Sequence, residues 1–264
     1  MASLVFHVGL MKSGSTSLQK AVKSSPHVDF ISAKAVKETS LASAKAISDA
    51  LSRIVPAAIS KPTFISHEAL VTGRSPKLAT ALAEYPEAAI LVVWRPLDER
   101  FESHYKMAVT RAGLAQYPKS FFAARIRNFD RTSSRKKISS LFHGRVEFLD
   151  FEEMRDSPNI FYDHISAMLS LPAGAVSPPE KAHNVAMGID ATVVALDANI
   201  AARRLIGINK DLVATHHMLM QSFYRIRSDN AAFEEAVESD PRLFAMRDRI
   251  NIELAEIRET LAHR

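Results

Sequence analysis

Leu4-Val-Phe-His7-Val-Gly9-Leu-Met-Lys12-Ser-Gly14-Ser-Thr16-Ser17-Leu-Gln19-Lys-Ala-Val-Lys23 decides the fold. Its first five residues, 4–8, are apolar or aromatic but for one histidine and read as a short buried strand. From Thr16 to Lys23 the pattern is helical, and the helix must stop before Pro26. Strand, glycine-bearing loop and helix together aim several backbone N–H groups, and the positive end of a helix dipole, at an anion.

The loop differs from the ATP-binding one in an informative way. That pattern is G-x-x-x-x-G-K-[ST]. Gly9 and Gly14 have the right spacing, but Ser15 stands where the lysine belongs, and Thr16 follows it. The loop's only lysine is Lys12, between the glycines. Phosphate recognition is retained while the cation is displaced.

Working outward, segments 63–66, 89–94 and 146–151 also read as buried strands, and Val28-Asp-Phe-Ile31 adds a short fifth. Helical patterns occupy 15–24, 38–54, 76–84, 97–112, 118–131 and 135–143. Alternating strands and helices predict an α/β fold, a three-layer α/β/α arrangement around a parallel sheet of about five strands, like that of P-loop NTPases. The loops at 9–17, 67–74 and 95–104 would then meet at the carboxyl edge of the sheet, where such folds bind ligands. Another helix is expected over 159–171, opened by Asp156-Ser-Pro158 and closed by Pro172.

Beyond the loop at 172–189 the pattern is helical: 191–206 capped by Asp190, a break at Gly207, then 209–227. Asp240-Pro241 is an N-cap followed by proline at the first helical position. From there Leu243, Met246, Ile250, Leu254, Ile257 and Leu261 mark one apolar face. The run is too short for sustained heptads, so it reads as core packing ahead of a dimer seam, with a homodimer through the helical tail left open. The expected organisation is a core over 1–189 and a helical extension over 190–264 packed on it as one domain.

Composition excludes several classes. The chain has 264 residues, 47% of them hydrophobic and 24% charged, as in ordinary globular proteins. A net charge of +5 favours anionic ligands, but the longest basic run, Arg135-Lys136-Lys137, is no nucleic-acid tail. There is no cysteine, hence no disulfide framework and no thiolate metal site. No apolar stretch approaches the roughly 20 residues of a membrane span, and the first strand begins too early for a signal peptide. A soluble cytoplasmic enzyme with no membrane span and no nucleic-acid partner is the expectation.

After the strand ending at Trp94 comes Arg95-Pro-Leu-Asp-Glu-Arg100-Phe-Glu-Ser103-His-Tyr105. Pro96 suits the first helical position, and Asp98 and Glu99 suit the positive end of the helix. Arg95 falls at a strand-to-helix corner, and Arg100 and Ser103 share a helix face. Guanidinium and hydroxyl at this spacing suit a second phosphate, although Arg100 could equally pair with Glu99 or Asp98.

Together the two segments resemble the sulfotransferases. Phe6 to Gln19 looks like that family's 5′-phosphosulfate-binding loop, and Val93 to Tyr105 like its 3′-phosphate-binding segment. Val146 to Met154, with its acidic turn Asp150-Phe-Glu-Glu153, is similar to a later strand of the family. The resemblance spans roughly residues 3–171 and is nearest in pattern to bacterial and carbohydrate-modifying members. It implies 3′-phosphoadenosine-5′-phosphosulfate (PAPS) as donor, 3′-phosphoadenosine-5′-phosphate (PAP) as product, and no metal. The family usually has asparagine after the clamp arginine, where Pro96 stands here. Its late Arg-Lys-Gly segment has only Lys181-Ala-His183-Asn184 as counterpart, with Asn184 as the candidate nucleotide contact.

The resemblance assigns Lys12, Ser13, Gly14, Ser15, Thr16 and Ser17 to the 5′ side of the donor, and Arg95, Arg100 and Ser103 to its 3′-phosphate. Lys12 is also suited to neutralise charge on the departing phosphate oxygen. Ser66-His67-Glu68-Ala-Leu resembles the strand end at which glycan-modifying members place a glutamate base, so Glu68 is the first candidate for general base and His67 the second. The acceptor is expected to be a small molecule or glycan hydroxyl. An ATP-dependent kinase and a non-catalytic nucleotide-binding scaffold are the alternatives.

Overall fold

Alternate residues of the central strands feed two different cores. In the computed structural model, which describes residues 3–33, 43–55, 60–66, 75–130, 133–180, 188–206 and 230–263, the strands are β1 (Leu4–His7), β2 (Asp29–Ser32), β3 (Thr63–Ser66), β4 (Ala89–Trp94) and β5 (Val146–Asp150). They form one parallel sheet in the order β2-β3-β1-β4-β5. Leu4, Phe6, Ile90 and Val92 enter one apolar cluster, while Val5, Leu91 and Val93 enter the other. With side chains alternating along each strand, a sheet so patterned is covered on both faces, giving the expected three layers. β1 lies between β3 and β4, so the loop after it leaves the sheet where the strand order reverses, the usual ligand crevice of an open α/β sheet.

One face is covered by α1 (Ser15–Ser24), α7 (Phe151–Asp156) and α8 (Pro158–Met168), through Leu18, Val22, Met154, Phe161, Tyr162 and Ile165. The opposite face takes α2 (Ala44–Ile54), α3 (Ser75–Leu82) and α6 (Arg135–Leu141), through Ile47, Leu51, Leu78, Leu82 and Ile138. Local chemistry sets the ends. Ser25, which precedes Pro26, is extended at ψ 125° and ends α1. Ser43 and Ser134 cap α2 and α6 by accepting from Ala46 N and Lys137 N. Arg145 satisfies the carbonyls of Tyr85 and Ala88 just past α3, at 2.7 and 3.1 Å.

Several expected boundaries move. The strand expected to run to 151 ends at Asp150, and the acidic turn is the first turn of α7, where Glu152 and Glu153 complement the helix dipole. The helix expected over 159–171 spans Pro158–Met168, because Ser170 turns to φ 56°. The helix expected to 143 ends at Leu141, ahead of His143 and Gly144 at positive φ. α9 (Ile189–Ile206) starts before Asp190, which lies in its first turn rather than capping it. Residues 38–42 and 209–227 of the expected helices lie outside the described residues.

The chain divides into two compact units, residues 1–97 with 128–184 and residues 98–127 with 185–264. The sheet belongs to the first. The second is helical: most of α4 (Leu97–Ala112) and α5 (Pro118–Asp130), with α9, α10 (Asn230–Ser239) and α11 (Pro241–Ala262). Leu243, Met246, Ile250, Leu254, Ile257 and Leu261 of α11 are all buried, so the apolar stripe is core. Buried Glu253 accepts from Lys119 N and from Arg249 Nε, both at 2.9 Å, and so serves the amino end of α5 as a cap supplied from another helix. Asn199 donates to the carbonyls of Val109 and Leu114 around the carboxyl end of α4. Among the described residues no helix is long and apolar enough to cross a membrane.

Candidate anion-binding site

The loop from Val8 to Gly14 stays stitched to β4 after β1 has ended. Val8 N donates to Leu91 O at 3.1 Å, and Val93 N donates to Gly9 O at 3.1 Å. The chain then turns through Lys12 at φ 66° and Gly14 at φ 75° into α1. Gly14 is the N-cap and brings no side-chain acceptor, and the first turn of α1 holds no acidic residue. The first amides of any helix lack acceptors in the turn before them; here Ser17 N turns back to Gly14 O at 2.9 Å, and the end directs its opening amides and the positive pole of the dipole toward an anion. Ser13, directly before the cap, is fully buried, and its Oγ has no hydrogen-bond partner among the described residues. Buried hydroxyls are nearly always satisfied, so this one marks a place for an acceptor. Ser15 Oγ, by contrast, is used internally, donating to Leu10 O at 3.2 Å.

Gly14 is required for reasons of space as well as conformation. A Cβ there would lie 2.0 Å from Met154 Cε and 3.0 Å from Phe151 Cε2. The start of α7 therefore forms the floor of the loop. Phe151 also faces Arg95, whose guanidinium carbon is 4.5 Å from the ring centroid. Arg95 Nη1 in turn donates to Lys12 O at 3.0 Å.

At the end of β3 a second polar cluster forms. Gln19 Nε2 donates to Ser66 Oγ at 2.9 Å, and His7 Nδ1 lies 2.7 Å from the same oxygen. With one proton and two lone pairs, the Ser66 hydroxyl that accepts from Gln19 can either give its proton to Nδ1 or accept a second N–H from it, according to the tautomer of His7. His7 and Ser66 are register partners on adjacent parallel strands, so their side chains leave the sheet on the same face.

The expected site residues are brought together unevenly. Lys12, Ser13, Gly14, Ser15, Thr16, Ser17 and Arg95 converge around the amino end of α1 in the first unit. Arg100 and Ser103 lie one turn apart on α4 in the second unit, Arg100 buried and Ser103 half-buried. His67, Glu68 and Asn184 lie outside the described residues. Sequence reasoning missed Phe151 and Met154 as the floor of the loop. It also missed the His7–Ser66–Gln19 cluster, whose signal was a histidine inside an otherwise apolar strand. Among the described residues no group of acidic or histidine side chains could hold a metal ion.

No family model matches the chain, and no curated protein does. Among solved structures, a sulfotransferase from Alicyclobacillus acidocaldarius superposes with a TM-score of 0.52 at 19% sequence identity. The match covers 76% of this chain and 96% of that one. At this identity the likeness shows a shared fold, and the arrangement of sheet and helices is what the two have in common.

Proposed function

We propose that the protein is a sulfotransferase, moving a sulfuryl group from PAPS to a hydroxyl of a small molecule or glycan. The observation that carries this reading is the amino end of α1. It has no side-chain cap and no acid in its first turn, the buried Ser13 hydroxyl beside it has no partner among the described residues, and Lys12 stands in the loop in place of the ATPase lysine. These residues fit a 5′-phosphosulfate. The fold shared with a bacterial sulfotransferase supports the same reading.

In this proposal Ser13, Gly14, Ser15, Thr16 and Ser17 hold the 5′-phosphate through amides and hydroxyls, and Arg95, Arg100 and Ser103 take the 3′-phosphate. Asn184 adds a nucleotide contact. Lys12 neutralises charge at the bridging oxygen, where such stabilisation is worth most. Glu68, or His67 in its place, accepts the proton of the acceptor hydroxyl. The donor supplies an activated sulfuryl group: one acceptor O–S bond forms, the S–O bond to the 5′-phosphate breaks, and PAP leaves.

Calorimetric titration tests the donor. PAP should bind at least tenfold more tightly than ADP; equal affinity, or magnesium-dependent ATP turnover, refutes the reading. An acceptor screen with isotopically labelled PAPS, read by mass shift, then defines the hydroxyl. In a folded protein, Lys12→Ala should cut transfer by about 10²–10³, and Glu68→Gln should abolish it.

A further inference from the structure

Lys12 holds a left-handed backbone at φ 66°, a conformation that costs an L side chain about 1–2 kcal/mol. Such a residue persists only where its surroundings over-determine it. Here the Lys12 carbonyl accepts from Arg95 Nη1 at 3.0 Å, and the same guanidinium lies over the Phe151 ring. Phe151 and Met154 close against Gly14, the next positive-φ residue of the turn. Upstream, Val93 N donates to Gly9 O, which ties the start of the loop to the strand that leads into Arg95. Both ends of the turn are thus anchored to β4 or the residue just past it.

We propose that Arg95 is a positioning residue for the anion-binding loop, holding Lys12 in its left-handed turn so that the amides opening α1 stay set for the 5′ anion. The inference rests on the donor reading above for the identity of that anion, but the hold on the loop is a property of the chain alone. It gives Arg95 a role toward ligands that carry no 3′-phosphate. A guanidinium suits the task because its planar fork can bond a carbonyl while its face lies on an aromatic ring, which an ammonium does only in part.

Two measurements on the full chain decide it, using Arg95→Ala and Arg95→Lys. Without ligand, amide hydrogen exchange over residues 9–17 should quicken at least tenfold in Arg95→Ala and less in Arg95→Lys, while exchange in α11 stays unchanged. Wild-type exchange over the loop in Arg95→Ala overturns the proposal. With ligand, Arg95→Ala should weaken AMP about tenfold, and PAP by at least as much because its 3′-phosphate also loses a contact, with partial recovery of both in Arg95→Lys. A loss confined to PAP overturns the proposal and leaves Arg95 a contact of the 3′-phosphate alone. If neither nucleotide binds the wild type, the donor reading fails while the exchange experiment still decides the role of Arg95. Should Arg95→Ala not fold, Arg95→Lys and Arg95→Gln carry the same comparison.

Discussion

His7 Nδ1 and Ser66 Oγ lie 2.7 Å apart, register partners on neighbouring parallel strands, with Gln19 of α1 donating to the same hydroxyl. One small side chain thus joins β1, β3 and the helix that opens the anion site. Ser66 is also the last residue of β3, directly before His67 and Glu68 in the chain. Replacing Ser66 with Ala removes the hydroxyl that His7 and Gln19 share inside a buried region. Disturbing buried hydrogen-bonding groups in this way costs about 1–3 kcal/mol. Ser66→Ala should therefore lower Tm by several degrees, and turnover should fall more than PAP affinity. Ser66→Thr, which keeps the hydroxyl, should recover part of both. A variant with wild-type Tm and turnover would show the cluster to be incidental.

Gly14 gives a sharper test, because conformation and space can be separated there. Its φ of 75° strains any L side chain, and a Cβ would meet Met154 and Phe151. Met154 Cε is the end of a flexible chain and can move; the Phe151 ring, faced by Arg95, yields less. Gly14→Ala should destabilise by about 1–2 kcal/mol from the backbone alone, plus the clash, and weaken PAP binding at least tenfold. In the Met154→Ala background, Gly14→Ala should cost less than in the wild type, since only the backbone strain and the Phe151 contact remain. Chemical denaturation of the four proteins measures this coupling; strict additivity would refute the packing argument.

Much of this architecture was legible in the chain, and the reason is local. β1 announces itself because every residue from Leu4 to His7 is buried on a sheet covered on both faces, so no polar alternation is needed. The stripe from Leu243 to Leu261 is legible because it repeats every third or fourth residue on one helix. What stayed hidden depends on partners distant in the chain. Phe151 reads as the end of a strand, and only the folded chain sets it under Gly14, over a hundred positions earlier. Nothing in the helical pattern around Glu253 sets it apart from the other charges of α11, yet it is buried, its carboxylate accepting from the amide of Lys119, 134 positions away. Arg95 was legible as an anion contact but not as a donor to the Lys12 carbonyl, since that bond depends on the loop's left-handed turn.

In the helical unit Glu102 sits between Lys106 at 2.7 Å and Arg258 at 3.2 Å. Burial pushes its carboxyl up, but the Lys106 hydrogen bond and the charges of Lys106 and Arg258 outweigh that and hold it below the usual glutamate range. A carboxyl with a depressed folded pKa contributes stability that is present above its unfolded value and lost as pH falls through the folded one. Glu102→Gln should therefore be less stable than the wild type at pH 7. The gap should close as pH falls from about 4.5 downward. Urea midpoints at pH 7, 5 and 3 measure it, and a gap that is constant or widens on acidification would contradict the assigned network.

Lys12 lets strain and chemistry be told apart, since both substitutions that remove its side chain act differently on its backbone. Glycine adopts φ 66° at no steric cost, whereas alanine retains the strain, so Lys12→Gly should be about 1 kcal/mol more stable than Lys12→Ala. Both lack the ammonium proposed to meet charge on the departing phosphate oxygen, and both should lose about 10²–10³ in turnover. Denaturation midpoints and sulfuryl-transfer rates on the two variants give the comparison. Equal stabilities would mean the turn is not left-handed at Lys12 in solution. An active Lys12→Gly would remove the lysine from the chemistry while leaving the turn intact. Greater stability joined to lost activity is the expected pairing, that of a residue kept in a costly conformation for what its side chain does there.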